Sequence, residues 1–534
     1  MNEETQASVP FPAAFAKTDG MTPNDQSETR RTAYLLMGAV AVFICIAKTV
    51  GVENFYEPTR YHPAEGSYGA DRPEMWKPDR IWPATRPEPT PTYGSNDRSR
   101  WATVRALVEN GTYVVGKREN FKTPREKDND DTGIIFLNDY LSVDKVMNPE
   151  TGEFYSSKPP LMPTIVAGEY WLVKKAFGWS IGPDRWLVIP FIILTINALP
   201  FALSLWLLAK LIEQYGTTDF GKLFTFAAGC FGTFLVGFAP TLNNHSPATV
   251  CTLFAIYPLL RSRPTGTTET PLDLFAAGFF AAFTACLDLP AACFTVGLCL
   301  PMFIARPRNA FVYMLPGLAI PIVAFFVCNY AALGRFTPAY SEFGGPWYEY
   351  AGSNWNKLKK SQDGEIIKGI DFAMESRNTY LFHMLFGHHG WFSLSPFWLI
   401  GLLGMGVAVS PAIKDLRRIA PNATPTTSVW TLPLLHGLTF LSTVTLVIFF
   451  VWIQKTNNYG GHTSGLRWFF WLTPLWLLAL LTGVDRFVKS RRAQLITVVL
   501  LGFGVLSVFY PAWNPWRHPW ILNLCERTGW VRYG

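Results

Sequence analysis

Six short stretches of the 534-residue chain carry side chains whose types and setting could do chemistry. In NDRSRWATVRALVENGTY (96–113), Asp97 stands with Arg98 at the start of a helix-forming run. A carboxylate there can cap the helix by accepting backbone N–H groups, or take a proton from a nucleophile. In FYSSKPPLMP (154–163), Lys158 precedes two prolines that stiffen the backbone. An ammonium held where an apolar segment meets water can bind a phosphate or simply snorkel. Asp288 lies in TACLDLPAACF with apolar residues on both sides, where a carboxylate is costly unless solvated or paired. Asn244 and His245 in TLNNHS, and His388 and His389 in FGHHGWFSLSP, stand between apolar blocks and suit an acceptor-binding surface or ordinary loop polarity. Arg467 follows the glycines of NNYGGHTSG, and its planar fork could grip a phosphate or carboxylate or anchor a helix among lipid headgroups. There is no HExxH pattern, no CxxC pair and no third ligand at fixed local spacing, so the sequence supports no metal site.

The elements that must position these residues are membrane helices. With 49% hydrophobic and only 16% charged residues and a mean hydropathy of +0.15, the chain gathers its apolar residues into blocks of roughly 16–25 residues, long enough to cross a hydrocarbon core about 30 Å thick. After a polar start ending in Arg30 and Arg31, the run 32–52 reads as an uncleaved first spanning helix. Further crossings are expected near 186–209, 220–239, 246–260, 272–287, 289–305, 309–331, 392–410, 431–454, 466–483 and 493–511. Lys210, Arg261, Arg263, Arg306, Arg308, Lys414, Arg417, Arg418 and the cluster 486–492 then fall on the cytoplasmic side. The net charge of +7 therefore reports topology, and nucleic acid is not an expected partner. Eight scattered cysteines suggest no disulfide framework.

The stretch 161–178 is apolar but interrupted by Glu169, Lys174 and Lys175, and reads as a juxtamembrane helix. The helix at 96–110, with Trp101, Val104, Leu107 and Val108 on one face, is likewise expected to lie along the membrane surface. This gives eleven crossings, within a range of about 11 to 13. The expected plan is a cytoplasmic tail (1–31), a first transmembrane helix (32–52), an external loop with juxtamembrane helices (53–185), a transmembrane core (186–331), a second external loop (332–391), C-terminal transmembrane helices (392–511) and an external tail (512–534). On that plan Asp97, Lys158, Asn244, His245, Asp288, His388, His389 and Arg467 all gather at the external face.

Asp97, the helix from Arg100 to Gly111 and the KPP element at Lys158 to Pro160 resemble the first external loop of the bacterial polyprenyl-phosphate-sugar-dependent glycosyltransferases. These are GT-C fold relatives of the protein O-mannosyltransferases and of the aminoarabinose transferase that modifies lipid A. GHHGWFSLSP and NNYGG with GLRW are similar to later loops of that superfamily, so the resemblance runs from the first helix to about residue 485. It implies an all-α, polytopic GT-C fold in a bacterial inner membrane with the site facing the periplasm. It also implies an inverting transfer of a sugar from a polyprenyl-phosphate donor, with Asp97 as base, Lys158 on the donor phosphate and no cofactor. The family often has a second acidic residue where this chain has Arg98, which is expected to hold the Asp97 pKa low and removes a ligand from any acidic metal pair.

Two other classes fit the residues. A lipid or solute transporter would place polar residues and broken helices near mid-membrane, whereas here they sit at one end. A catalytically silent subunit of a membrane complex would explain Arg98, with the Pro-rich stretch 72–94 and the aromatic tail from Phe509 as surfaces for a membrane-protein partner or headgroups. The sugar and the lipid, glycan or protein acceptor are not encoded in any motif. The aromatic-rich run GRFTPAYSEFGGPWYEY (334–350) suits stacking on sugar rings.

Overall fold

A computed structural model describes residues 23–54, 89–122, 131–137, 139–261, 268–364, 367, 369–419, 428–454, 457–511 and 514–533. Most of the Pro-rich stretch, the first part of the N-terminal tail and Arg263 lie outside the described residues. The protein is a multi-pass membrane protein built almost entirely of helices. Among the described residues, eight helices are long and apolar enough to cross a membrane.

In chain order, α1 (Pro23–Val50) is followed by α2 (Ser95–Asn110), four short strands β1 (Gly116–Arg118), β2 (Asp131–Thr132), β3 (Lys145–Met147) and β4 (Glu153–Ser156), and α3 (Leu161–Phe177). Then come α4 (Arg185–Tyr215), α5 (Asp219–Phe238), α6 (His245–Leu260), α7 (Pro271–Leu287), α8 (Leu289–Ala305) and α9 (Pro307–Leu333). The chain continues with α10 (Arg377–Leu385), α11 (Trp398–Arg417), α12 (Leu432–Ile453), α13 (Arg467–Phe487), α14 (Arg491–Phe509) and α15 (Trp520–Arg527). The helices α6, α7 and α8 are shorter than the eight and occupy three of the positions where the sequence places crossings.

Small residues bring the membrane helices together. α11 crosses α13 where Gly404 faces the Ala479 carbonyl and Gly483 faces the Ile400 carbonyl, and α7 crosses α9 where Gly278 faces Met314 and Gly317 faces Phe275. A β-carbon at any of these four positions would overlap backbone, so the close approach depends on glycine. Ion pairs fix the end of the bundle that carries the basic clusters. Arg30 and Lys222 share Glu213, Arg261 pairs with Asp273, and Arg306 reaches Glu269. The candidate site residues lie at the other end. α6 runs away from it, from His245 towards Arg261, and α7 returns to it at Asp288.

The loop between α1 and α4 departs from the expectation in two ways. It contains a four-stranded antiparallel sheet in the order β2-β1-β4-β3, which no alternating run in the sequence announced because each strand is only two to four residues long. And α2 does not lie on a surface. Its apolar face is covered, with Trp101 and Val104 fully buried, but Asn96, Asp97, Arg98, Ser99, Arg100 and Thr103 are buried too. α3 packs beside α2 and ties it down through a hydrogen bond from Tyr170 to Glu109 of 2.9 Å. The second long loop folds on the sheet: Trp355 donates to the Val143 carbonyl at 3.1 Å and Arg118 to the Ala351 carbonyl at 2.9 Å.

The helix crossing at Gly404 makes a direct prediction. Gly404→Ala forces a β-carbon into the Ala479 carbonyl and is expected to destabilise at the upper end of the roughly 1–3 kcal/mol typical of overpacking. Gly406→Ala, two residues along the same helix where a β-carbon meets open space, is expected to leave the thermal midpoint in detergent unchanged or higher. Equal losses from the two variants would remove the role assigned to this crossing.

Candidate functional site

The site is built where α2, the β3–β4 hairpin, the α5–α6 turn, the α7–α8 turn and the head of α13 meet. Asp97 sits in the first turn of α2, but the helix begins at Ser95 with Gly94 in the capping position. The expected helix cap is therefore not what this carboxylate does. One oxygen accepts the Tyr93 N–H at 3.1 Å and the other the Leu242 N–H at 2.8 Å, so Asp97 joins the approach to α2 to the turn before α6. Burial pushes its carboxyl up to about 6, against the downward pull of those two hydrogen bonds and of Arg100 and Arg98. The expectation that Arg98 would hold this pKa low is thus corrected. Arg98 does act downward, but loss of solvent outweighs it.

Arg100, one turn further along α2, is the residue that links the parts. Its guanidinium donates to the Asn96 carbonyl at 2.8 Å and to the Asn96 and Asn244 side-chain oxygens. Asn244 turns its amide to the Leu287 carbonyl at 2.6 Å and to Asp288 at 3.2 Å, and His245 Nδ1 lies 2.9 Å from the other Asp288 oxygen. Asn244, His245 and Asp288, three candidates drawn from loops more than forty residues apart, thus form one buried chain with Arg100. Asp288 is paired, as a carboxylate near hydrocarbon must be.

Lys158 is not a lone cation. The β3–β4 hairpin carries Asp144 at its start and Lys158 just past its end, and the ammonium pairs with the Asp144 carboxylate at 2.7 Å. Ser99 of α2 donates to the Asp144 carbonyl at 2.5 Å and bonds Ser156 at 2.6 Å, which locks the hairpin to α2. Burial, with Arg100 and Arg467 nearby, pulls the Lys158 pKa down, and Asp144 opposes that fall.

Arg467 does not anchor a helix among headgroups. It is 7% exposed, its guanidinium lies over the faces of Trp468 and Trp516 at 4.7 and 5.0 Å, and its Nε and one terminal nitrogen have no hydrogen-bond partner among the described residues. Gly460 makes room for it: with φ +96°, and only 3.0 Å between the place of its missing β-carbon and Arg467 Nε, this position needs glycine. Asp144, Asp288 and Asp371 all act electrostatically on Arg467, and it acts on Arg100, Lys158 and His245. Arg100, Lys158 and Arg467 thus stand within electrostatic reach of the Asp97, Asp144, Asp288 and Asp371 carboxylates in one buried cluster. Tyr340 of the aromatic run 334–350 lies within electrostatic reach of Asp288, and Tyr348 of Asp144.

His388 and His389 belong to a second cluster. His388 Nδ1 meets His389 Nδ1 at 2.6 Å, His388 Nε2 meets the Tyr533 hydroxyl at 2.7 Å, and Tyr533 donates to Glu375 at 2.5 Å. The C-terminal tail reaches this cluster by folding over its own chain. Ser464 donates to the Pro515 carbonyl at 2.9 Å, Gly369 to the Tyr533 carbonyl at 2.6 Å, and Trp516 covers Arg467. Sequence reasoning missed Asp144, Asp371 and Glu375 altogether and saw Arg100 only as part of a pattern. Arg100 alone had a local signal, three residues after Asp97 and four after Asn96 on the same face of a helix.

No known family model matches the chain, and no curated protein matches it. Among solved structures it is similar to the crystal structure of the Archaeoglobus fulgidus oligosaccharyltransferase in complex with Zn and sulfate, at 12% identity and a TM-score of 0.42. That overlap takes in 90% of this chain and 53% of the other, so the chain spans about half the length of the protein it is compared with. A likeness this shallow fixes neither family nor activity.

The Asp97 geometry predicts a stability effect separable from chemistry. An asparagine there offers one N–H₂ group to a backbone N–H, so Asp97→Asn is expected to cost roughly 1–3 kcal/mol by leaving a buried donor unmet. The thermal midpoint of the purified protein measures this. An unchanged midpoint would mean that the two amide contacts do not hold the α2 entrance in place.

Proposed function

We propose that the protein is a membrane glycosyltransferase that moves a sugar from a polyprenyl-phosphate donor to an acceptor at the face of the membrane where this charged cluster lies, with the periplasmic side of a bacterial inner membrane as its setting. The observation that carries this reading is Arg467, a buried guanidinium with two unmet donor atoms, flanked by Arg100 and Lys158. Unmatched buried cationic donors call for an anion. The cluster lies at the ends of membrane helices, where a ligand with a phosphate head and a hydrocarbon tail can place both. The resemblance of Asp97, α2 and the KPP element to the first loop of the polyprenyl-phosphate-sugar transferases supports the same donor.

In this reading Arg467 and Lys158 hold the donor phosphate, and Arg100 fixes Asn244 rather than touching the lipid. The acceptor hydroxyl or amine attacks the anomeric carbon and gives its proton to Asp97. The bond from that carbon to the phosphate oxygen breaks, and its electron pair leaves on the phosphate, whose charge the two cations stabilise where water is scarce. A single displacement inverts the anomeric configuration. Arg98, Asn244, His245 and Asp288 line the acceptor side together with the aromatic run at 334–350, and His388 and His389 support the loop behind it. No nucleotide sugar and no cofactor enters.

One observation favours a different reading, that of a silent structural subunit: both Asp97 oxygens already serve backbone amides. Asp97→Asn separates the two. As a base, Asp97 is needed for transfer and not for donor binding, so this variant keeps the lipid and loses transfer at least about a hundredfold per folded molecule. As a latch alone, it loses activity only in proportion to unfolded protein.

Native mass spectrometry of gently extracted protein is expected to show polyprenyl phosphate or its glycosylated form on the wild type. Lys158→Ala and Arg467→Ala should lose it. Absence of any isoprenoid phosphate from the wild type, even after one is offered, would end the donor assignment. A second expectation concerns pH. Asp97 accepts a proton only when ionised, so with a pKa of about 6 the transfer rate should be flat above that value and fall tenfold per unit below it. A profile still flat at pH 4.5 would exclude Asp97 as base.

A further inference from the structure

Glu375, His383 and His388 lie outside the charged cluster, and nothing in the proposed transfer uses Glu375 or His383. Each offers one ligand atom, and these three atoms lie within 4.8 Å of one another. Spacings of eight and five residues across a turn and α10 match no ligand motif, so this grouping is not legible from the sequence.

Hydrogen bonding among the described residues leaves the cluster incomplete. Tyr533 has one hydroxyl proton and gives it to Glu375, so at its 2.7 Å contact with His388 Nε2 it accepts, and His388 Nε2 carries a proton. His388 Nδ1 is then bare and accepts from His389 Nδ1, and His389 Nε2 is buried with no partner at hydrogen-bond geometry among the described residues. His383 is worse served. Its Nδ1 is buried without a partner, and its Nε2 points at Glu375 across 4.0 Å. That gap is too long for a hydrogen bond. It falls within the roughly 3.3–4 Å that separates two donor atoms sharing one zinc ion, each about 2.0–2.1 Å from it. The His383 and His388 rings stack with centroids 3.9 Å apart, which keeps the two imidazoles side by side next to the carboxylate.

We propose that Glu375, His383 and His388 form a binding site for a divalent transition-metal ion, best matched by zinc. Two imidazoles and one carboxylate are a zinc donor set, and to close on the ion the His383 and His388 rings turn out of their stack so that each nitrogen lone pair faces it. The Tyr533 hydroxyl gives up its place between His388 and Glu375, leaving the fourth position to water. Tyr459 keeps hold of the second carboxylate oxygen and orients it. With the metal on Nε2, His388 carries its proton on Nδ1 and donates it to His389, the outer contact that a metal-bound imidazole normally keeps. The ion joins three segments: the turn before α10, the loop after it and, through Asn457 to the Glu375 carbonyl, the loop that leads to Arg467. Its role is structural, outside the transfer chemistry.

The full-length protein in detergent, stripped with a chelator, reloaded with Zn²⁺ and desalted, should retain one zinc per chain by elemental mass spectrometry. Loading with Co²⁺ should give the visible bands of a tetrahedral site. His383→Ala and Glu375→Gln should each weaken zinc retention at least tenfold. His436→Ala, which changes a buried histidine of α12 bonded to Thr482, should leave it unchanged. A wild type that retains no zinc and shows no tetrahedral cobalt spectrum overturns the proposal, and so does equal retention by both site variants. The wild-type stoichiometry and spectrum decide the matter even if a variant fails to fold.

Discussion

Charge taken out of water at the end of a membrane bundle is the constraint on which this structure depends. Arg100, Lys158 and Arg467 are buried or nearly so within reach of one another, and like charges so placed repel strongly where the dielectric is low. Asp144, Asp288 and Asp371 act on Arg467 and offset that repulsion, yet two of its nitrogens still lack a partner. Such a group survives folding only if the surrounding architecture over-determines its position. Trp468 and Trp516 hold the guanidinium by its faces, and Gly460 gives it space. The remaining donors are what a ligand anion would complete.

That requirement explains the long loop between α1 and α4. A membrane bundle alone presents only helix ends, which cannot surround a charge. The β3–β4 hairpin supplies Asp144 and Lys158 as a ready-made pair, and α2 supplies Asp97 and Arg100 from adjacent turns. The lock between the two is made of short side chains, Ser99 to Ser156 and to the Asp144 carbonyl, so the hairpin sits close against α2. Asp97 then ties α2 to the turn before α6, and Asn244 carries the contact on to Asp288. The loop is therefore part of the site's wall and not a lid over it.

The legibility of this arrangement in the sequence follows the range of the interactions. Membrane helices are written in apolar blocks, and each long helix lies where its block predicts, with ends displaced by a few residues, as at α11, which begins at Trp398 rather than near 392. Asp97 and Lys158 were legible through a resemblance confined to short motifs. Asp144 was not, because an aspartate in a loop acquires meaning only when a hairpin closes fourteen residues later. The reading of Arg98 failed for a related reason: adjacency in sequence was visible and burial was not, and burial dominates the Asp97 pKa. The surface placement of α2 failed because its apolar stripe was legible while the partners of its polar flank were scattered from 142 to 244.

The two clusters are not independent. The segment from Asn457 to Arg467 touches both, since Asn457 donates to the Glu375 carbonyl, Gly461 to Asp371 at 3.1 Å, and Arg467 belongs to the charged cluster. Asp371 and Glu375 stand four residues apart on the facing segment, so the same two stretches of chain hold the histidine cluster at one end and Arg467 at the other. The C-terminal tail bridges them again, with Tyr533 at Glu375 and Trp516 over Arg467. An arginine kept without its full set of hydrogen bonds needs a rigid backbone behind it, because a mobile one would let the guanidinium collapse onto Asp371 or Asp144. A crosslink at Glu375, whether by hydrogen bonds or by a metal ion, supplies that rigidity about one loop length away, where it stiffens the support without neutralising the charge that an anionic ligand must find.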